Sequence, residues 1–262
     1  MSEAAVLVAR SGGIRSLTLN RPTRGNSMDF QLIEELDAAA RECAADESVR
    51  CVVLSGSGRF FCTGGDLILF NQTAAERSSL LARLAATLHS ALSSFARMQK
   101  PLLTLINGPA AGAGLSLALC GDVTLAAQSA HFTSAYTAIG LTPDGGMTWM
   151  LPRLIGVRRA QEMMLTNRRV TAEEAERIGL VTRVVSDELL AEEGAKLASR
   201  LAQSATRALG ATRALILDSF QTSFEAQLSG EANAIAAAGK HPECAEGISA
   251  FLSKRIPLFK GP

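Results

Sequence analysis

The stretch that decides the fold is Phe60-Phe61-Cys62-Thr63-Gly64-Gly65-Asp66. It comes shortly after the apolar run Cys51–Leu54, which the pattern predicts as a buried strand. A second glycine-rich stretch, Asn107-Gly108-Pro109-Ala110-Ala111-Gly112-Ala113-Gly114, follows the predicted strand Leu102–Ile106 and opens the predicted helix Gly112–Cys120. A unit of strand, glycine-rich turn and helix therefore occurs twice, and this repetition indicates a parallel α/β core.

Strands and helices also alternate on either side of these two stretches. Further strands are predicted at Val6–Ala9, Ile14–Leu19, Val123–Ala126 and Leu180–Val185. Helices are predicted from Ser27 or Asp29, along an apolar stripe from Leu81 to Met98, and after the loop Leu141–Gly146. Only helical patterns follow Asp187. We therefore expect residues 1–200 to form the α/β core and residues 201–262 to form a helical layer for docking or oligomerisation.

The composition excludes several classes of protein. The chain has 262 residues, of which 47% are hydrophobic and 19% charged, and its net charge is +1. A chain of this kind can bury a large core, so it is neither disordered nor dependent on disulfides. The near-neutral charge argues against bulk binding to nucleic acid or to an anionic membrane. Residues 101–121 carry no charge, but Asn107-Gly108-Pro109 divides this run into a strand and a helix.

Cysteine and histidine usage indicates the compartment and argues against a metal site. The five cysteines are odd in number, widely spaced and without a CxxC pair, which is typical of reduced thiols in the cytoplasm. Residues 1–10 show no signal peptide. The three histidines form no HxH or HExxH motif, and His131 and His241 lack a partner motif, so we expect no bound metal.

The two glycine-rich turns are also candidates for chemistry. The first N–H groups of a helix have no partner within the helix, and two such groups that converge on one point can form an oxyanion hole. Glycine lets a substrate approach the backbone closely. Such turns also occur as plain tight connections, and on the spacing alone that reading stays open. Neither stretch matches a phosphate loop or GxGxxG.

A series of motifs along nearly the whole chain resembles the enoyl-CoA hydratase/isomerase family, the crotonase superfamily. The motifs are Asn20-Arg21-Pro22 with Asn26, residues 58–67, Lys100-Pro101 through Ala118 with Asp122, residues 139–146, Leu151-Pro152-Arg153, Thr171–Val181 and residues 251–255. The resemblance implies an α/β fold, the crotonase (ClpP-like) spiral of ββα units, with a C-terminal helical trimerisation segment. It also implies an acyl-CoA substrate, no cofactor beyond the coenzyme A of that substrate, a role in fatty acid metabolism, and a homotrimer or hexamer.

The resemblance assigns roles to individual residues. Members of the family stabilise an enolate of the thioester, and the two oxyanion amides fall on Gly65 and Ala113. The coenzyme A would lie along residues of the first loops, namely Arg24, Phe61, Cys62, Asp66 and Leu67. Near the C-terminus, Phe259 and Lys260 resemble residues that reach the coenzyme A of a neighbouring subunit, where a lysine suits a phosphate.

The proton-moving residue is the point at which the chain departs from its hydratase relatives. The two glutamates of the hydratases correspond to Ser116 and Tyr136, and neither is a carboxylate. Asp144 lies in a segment where the resemblance places the single acid of Δ3,Δ2-enoyl-CoA isomerases, although an aspartate there is also a common N-cap. We therefore expect double-bond migration with Asp144 as acid and base.

Three alternatives remain open at this stage. Enoyl-CoA hydration would use Tyr136 or Asp144 to organise water. Dehalogenation of an aryl-CoA would use Asp144 as nucleophile, since His89 and Tyr136 fall near the pocket histidine and tryptophan of that enzyme. A non-catalytic or RNA-binding paralogue is the third, but the predicted helix over residues 80–98 carries few basic residues.

Overall fold

The computed structural model describes residues 3–259. Its strands are β1 (Val6–Ser11), β2 (Ile14–Leu19), β3 (Cys51–Gly56), β4 (Leu102–Ile106), β5 (Ala110–Ala111), β6 (Val123–Ala127), β7 (His131–Thr133), β8 (Val170–Thr171) and β9 (Arg183–Val185). Its helices are α1 (Phe30–Ala45), α2 (Ala74–Arg97), α3 (Ala113–Ala118), α4 (Met147–Ile155), α5 (Val157–Thr166), α6 (Ala172–Ile178), α7 (Leu190–Ala202), α8 (Thr206–Ser219), α9 (Phe224–Gly239) and α10 (Pro242–Leu252).

The strands form two sheets. The main sheet has the order β1-β2-β3-β4-β6-β9, in which β1 and β2 form an antiparallel hairpin and every later pair is parallel. The smaller sheet has the order β5-β7-β8. The chain passes from β4 in the main sheet to β5 in the smaller one and then into α3, and it passes from β6 to β7 in the same way. This winding is a spiral of ββα units.

Strand β3 of the main sheet is covered on both faces, which explains its apolar run. Along β3, Val52 and Leu54 lie in the larger core with α1 and α2, whereas Cys51 and Val53 lie in a second core with α7. A strand that is buried on both faces has no polar side. The run of four apolar residues therefore follows from the layered architecture.

The predicted strand Leu180–Val185 is wrong over its first half. The structure begins β9 at Arg183, and the amides of Leu180 and Val181 both donate to the carbonyl of Ala175 in α6. Gly179 adopts a left-handed conformation at the end of α6 (φ 82°), which allows the chain to fold back in this way. Leu180 and Val181 are buried as part of a helix cap, so their apolar character does not signal a strand.

The three C-terminal helices α8 to α10 lie after the last strand. They leave large apolar side chains exposed, among them Phe224, Ile235, Phe251 and Leu252. None of the helices between residues 3 and 259 has the length and apolar character that a membrane span requires. Over the same range no group of three or more His, Cys, Asp or Glu side chains is placed to hold a metal ion.

All five cysteines are free thiols. Burial raises the pKa of Cys43 to about 11 and the pKa of Cys51 to about 12. These thiols therefore stay protonated at neutral pH and act as small core residues.

Asn26 ties the first loop of the chain to the loop after β3. Its side chain is fully buried and its backbone is left-handed (φ 52°). The amide nitrogen donates to the carbonyls of Ser57 at 3.0 Å, Phe60 at 2.7 Å and Phe61 at 3.2 Å, and the amide oxygen accepts from the backbone of Arg21 at 2.8 Å. One side chain thus sets where residues 57–61 run before they reach Gly64.

Replacement of Asn26 by aspartate keeps the shape and removes the donor. A buried carboxylate would face three carbonyl oxygens, so Asn26→Asp is expected to lower the free energy of unfolding by about 3 kcal/mol. The matched control is Asn71→Asp, because Asn71 is exposed and its side chain has no partner among the described residues. Urea denaturation of both variants checks the prediction, and equal stability of the two would contradict it.

Candidate functional site

A largely apolar cavity of about 280 Å³ lies where the two glycine-rich turns meet α2. Its lining comes from five parts of the chain. They are Met28 and Ile33 around the start of α1; Thr63 to Gly65, Leu67 and Phe70 in the loop after β3; Leu81 to Leu88 in α2; Gly112 and Ala113 at the start of α3; and Ala135 to Asp144 before α4. Asp144 is the one carboxylate among the described residues that line it. An apolar enclosure with few polar groups is typical of a small-molecule site.

Backbone pairing brings the two turns together. The amide of Cys62 donates to the carbonyl of Pro109 at 3.2 Å, and the amide of Ala111 donates to the carbonyl of Cys62 at 2.9 Å. A Cβ atom added to Gly64 would lie 3.3 Å from the amide nitrogen of Ala113. The turn at Gly64 (φ 95°) therefore sits directly against the start of α3, as only a glycine in this conformation allows.

Two amide groups at this junction have no acceptor among residues 3–259. Met28 accepts the amide of Asp66 and donates to the carbonyl of Gly64, so the amide of Gly65 lies between two paired groups and is itself unpaired. Ala113 is the first residue of α3, where a helical amide has no partner within the helix. Both residues line the cavity. The resemblance assigns the two oxyanion amides to Gly65 and Ala113, and that role stays a prediction.

Asp144 also lines this cavity. The hydroxyl of Tyr136 donates to Asp144 Oδ1 at 2.5 Å. Asp144 Oδ2 accepts no hydrogen bond from the part of the chain that is described, and it lies 3.8 Å from His89 Nε2. One carboxylate oxygen is thus held while the other stays available for a proton.

Ser116 and His89 hold the backbone next to this carboxylate. The hydroxyl of Ser116, which is buried, donates to the carbonyl of Asp144 at 2.8 Å. The amide of Gly145 donates to His89 Nε2 at 3.0 Å. A Cβ atom on Gly145 would approach the Cβ of Ser116 to 2.7 Å, so this packing requires glycine. The four candidates Ser116, His89, Tyr136 and Asp144 therefore form one cluster.

The family model for enoyl-CoA hydratase/isomerase matches residues 9–262. The chain belongs to the enoyl-CoA hydratase/isomerase family. It is 38% identical to 1,2-epoxyphenylacetyl-CoA isomerase of Escherichia coli (95% of each chain) and 37% identical to 2,3-dehydroadipyl-CoA hydratase of the same organism (100% of each). Its structure matches that of an enoyl-CoA hydratase from Polaromonas sp. JS666 with a TM-score of 0.93 and 31% identity, over 97% of this chain and 99% of that one.

These findings confirm the predicted crotonase fold and the assignment to an acyl-CoA enzyme. They do not choose a reaction, because an isomerase and a hydratase are similar to this chain to nearly the same degree. The choice between reactions therefore depends on the side chains in the cavity of this enoyl-CoA hydratase/isomerase.

The residues that are expected to contact coenzyme A differ in the exposure of their side chains. Phe61 and Cys62 are fully buried, and burial raises the pKa of the Cys62 thiol to about 12. Their side chains belong to the core, so only their backbone could contact coenzyme A. A match to a sequence motif does not show which part of a residue faces outward. Leu67 is 54% exposed beside the cavity.

Asp66 is part of an ion-pair cluster. Its carboxylate lies 3.3 Å from the guanidinium of Arg21 and 3.9 Å from that of Arg24, and it accepts from the amide of Ile68 at 3.2 Å. This cluster holds the loop after Gly65 against the loop before α1. Arg24 is the more exposed of the two cations, so it remains accessible to an anionic ligand.

Of the two C-terminal candidates, Phe259 is described and does not line the cavity. Phe259 packs near Gly247 of α10, where an added Cβ atom would meet its ring at 3.6 Å. Lys260 lies outside the described residues.

The sequence reading missed one wall of the cavity. Phe70 touches Gly65 so closely that a Cβ atom on that glycine would lie 2.6 Å from its ring. Phe70 thereby covers the Gly65 turn with an apolar surface. An aromatic residue in a loop between a glycine turn and a helix is the one signal that could have indicated this contact.

Tyr136 remains a neutral donor across the physiological pH range. Burial and then the neighbouring charge of Asp144 raise its pKa above the ordinary value of about 10. The chain contains one tyrosine, so its ionisation can be followed directly by near-ultraviolet absorbance. In the folded protein, phenolate is expected to form well above the pH at which it forms in the unfolded chain. Asp144→Asn removes the charge contribution and is expected to lower the pKa of Tyr136 part of the way.

The same pKa shift affects stability. Because the pKa of Tyr136 is higher in the folded state, its contribution is fully present below about pH 10 and is lost as the pH rises further. Tyr136→Phe is therefore expected to unfold with a shallower dependence on pH above this value than the wild type. A tyrosine that ionises near pH 10 in the native protein would refute both expectations.

Proposed function

We propose that this enzyme moves the double bond of an enoyl-CoA from the Δ3 to the Δ2 position, with Asp144 as acid and base. The observation that carries the proposal is the state of the Asp144 carboxylate. Tyr136 holds Oδ1, whereas Oδ2 is free of donors from the described residues and shares an apolar cavity with the amides of Gly65 and Ala113. The cavity thus supplies one proton carrier and two donors for a developing oxyanion.

The reaction proceeds in two proton transfers. Asp144 takes a proton from C2 of the 3-enoyl thioester, and the electron pair of that C–H bond moves onto the carbonyl oxygen to form a dienolate. The Gly65 and Ala113 amides donate to this oxygen. The carboxylic acid then returns the proton to C4, the double bond settles between C2 and C3, and the carbonyl is restored. Atoms and electrons balance without a cofactor.

Hydration of a 2-enoyl-CoA is the first alternative. The resemblance places Ser116 and Tyr136 where hydratases carry two glutamates, and in this chain Ser116 and Tyr136 instead donate to the backbone and carboxylate of Asp144. Neither is placed to activate water as a base. The similarity to an acyl-CoA isomerase supports an isomerisation, and the similarity to a hydratase keeps hydration as a reaction to be tested.

Dehalogenation of an aryl-CoA is a second candidate, because His89 Nε2 lies 3.8 Å from Asp144 Oδ2 and Tyr136 donates to Oδ1. A nucleophilic carboxylate beside a histidine could form an aryl ester by expelling halide, and water activated by the histidine could then cleave that ester. In this structure, however, His89 Nε2 already accepts the amide of Gly145, which leaves it engaged with the backbone.

Coenzyme A would bind outside the cavity along the first loops. The proposal assigns this role to Arg24, Asp66 and Leu67, to the backbone of Phe61 and Cys62, and to Phe259 and Lys260 across a subunit boundary. Support comes from the exposure of Arg24 and Leu67 and from the family.

The decisive assay gives the enzyme a trans-3-enoyl-CoA and follows absorbance of the conjugated thioester. Asp144→Asn is expected to lower kcat by a factor of about 10³ or more, because no other carboxylate of the described residues lines the cavity. Ala113→Pro removes one oxyanion donor at a helix position that tolerates proline, and a loss of about 10² to 10³ in kcat is expected. Asp218→Asn, at an exposed aspartate on α8, is the control and should match the wild type.

Three further substrates separate the alternatives. Loss of conjugation from a trans-2-enoyl-CoA, with a 3-hydroxyacyl-CoA product, would replace isomerisation by hydration. Chloride release from 4-chlorobenzoyl-CoA would replace it by dehalogenation. If the enzyme converts 1,2-epoxyphenylacetyl-CoA and none of the other substrates, it is an isomerase, but its substrate is not a 3-enoyl-CoA. Inactivity towards all four would favour a non-catalytic paralogue.

The proposed assembly is a homotrimer or a hexamer. The side chains of Phe224, Ile235, Phe251 and Leu252 are 71%, 75%, 84% and 76% exposed in one chain. Exposed apolar side chains in such number on α9 and α10 favour burial against another subunit. Light scattering coupled to gel filtration is expected to give three or six times the mass of one chain. A monomer at micromolar concentration would contradict this part of the proposal.

A further inference from the structure

We propose that His89 is a positioning residue for Asp144: in its neutral form it fixes the peptide that carries the carboxylate, and in its protonated form it withdraws Asp144 from proton transfer. This inference rests on the proposed function. The assigned role differs from that of a base acting on substrate, because His89 acts here through another residue.

One peptide group is held at both ends. The carbonyl of Asp144 and the amide of Gly145 belong to the same peptide unit. The Ser116 hydroxyl donates to its oxygen at 2.8 Å, and its N–H donates to His89 Nε2 at 3.0 Å. With both ends fixed, the plane of this peptide cannot rotate without loss of a hydrogen bond. The direction of the Asp144 side chain is set by that plane together with the bond from Tyr136.

The hydrogen bond from Gly145 also defines the charge state of His89. A ring nitrogen that accepts an N–H carries no proton, so the imidazole is neutral with its proton on Nδ1. The same Nε2 atom lies 3.8 Å from Asp144 Oδ2, too far for a hydrogen bond. In this state Asp144 Oδ2 has no hydrogen bond to His89 and remains accessible from the cavity.

Protonation of His89 would reverse both features. An imidazolium has N–H at Nε2, which cannot accept the Gly145 amide and repels it. The acceptor within reach of a small movement is Asp144 Oδ2, so the new N–H would form an ion pair with the oxygen that takes the substrate proton. The peptide would be released at one end, and the base would be occupied. Histidine is the side chain that most readily changes charge near neutral pH.

The surroundings of His89 leave Asp144 as the group that responds. From the loop before α4 the facing groups are Asp144 and, bonded to it, the neutral Tyr136. His89 also lines a second, neighbouring cavity, whose lining includes Cys120, Asp122 and Arg213. Asp122 and Arg213 lie 2.6 Å apart and compensate each other, and burial raises the pKa of Cys120 to about 12, so it is neutral. Residues 85–93 of α2 carry no charge besides His89.

A spectroscopic test examines His89 without reference to activity. The chain has three histidines, so ¹⁵N shifts of the ring nitrogens can be assigned with His89→Gln and His241→Gln. At neutral pH the His89 shifts are expected to show the proton on Nδ1. A proton on Nε2 at neutral pH would overturn the proposal.

A kinetic test uses the pair His89→Gln and His89→Leu. Glutamine places an acceptor oxygen where Nε2 stands but does not titrate, whereas leucine fills the space without an acceptor. His89→Leu is expected to lower kcat about tenfold at pH 8 with little change in KM. His89→Gln is expected to recover most of that loss and to keep its activity at low pH, where the wild type declines. His241→Gln, at the residue that precedes α10 and outside the cavity lining, should show the wild-type pH profile.

The two tests separate this inference from the proposed function. If the wild type does not move the double bond but the ring nitrogens behave as expected, the function proposal fails and the positioning role remains. If the enzyme isomerises its substrate and both His89 variants retain the acid decline of the wild type, the positioning role fails. Equal activity of His89→Leu and His89→Gln would also overturn it, because packing alone would then explain the residue.

Discussion

The site depends on one backbone interaction, the pairing of Cys62 with Ala110 across the two glycine-rich turns. The turns follow β3 and β4, which are neighbours in a parallel sheet, so their carboxyl ends already point to the same edge. The pairing then draws the turns together until no side chain fits between them: a Cβ atom on Gly114 would lie 2.2 Å from the carbonyl oxygen of Cys62. This contact places the unpaired amides of Gly65 and Ala113 in one cavity.

The charge in the cavity comes from one side chain. A single carboxylate stands in an apolar enclosure, and the side chains that contact it are a phenol, a hydroxyl and a neutral imidazole. Each makes a hydrogen bond to Asp144 or to its peptide without adding a permanent charge. A fixed cation would pair with the carboxylate, whereas neutral partners hold it in place and leave its charge uncompensated.

Most strands of the main sheet and the two site turns could be predicted from the sequence because their residues obey local rules, whereas the short strands β5, β7 and β8 were not predicted. The run Cys51–Leu54 is apolar throughout because both faces of β3 are covered, and Gly64 and Gly112 are required by their positive φ angles of 95° and 53°. The predictions failed where the same local pattern is compatible with two structures. Leu180 and Val181 are apolar because they cap α6, and Phe61 and Cys62 match a binding motif with side chains that face the core.

The sequence by itself determined the fold class, the two glycine-rich turns and the identity of the candidate acid, since periodicity, glycine placement and motif order are properties of the linear chain. Only the tertiary structure decided which groups face one another. His89 lies on α2, Ser116 on α3, and Tyr136 and Asp144 in the loop between β7 and α4. Whether a carboxylate oxygen is held or free depends on distances of a few ångströms between these side chains. Such distances arise from packing of the whole core, and no local pattern records them.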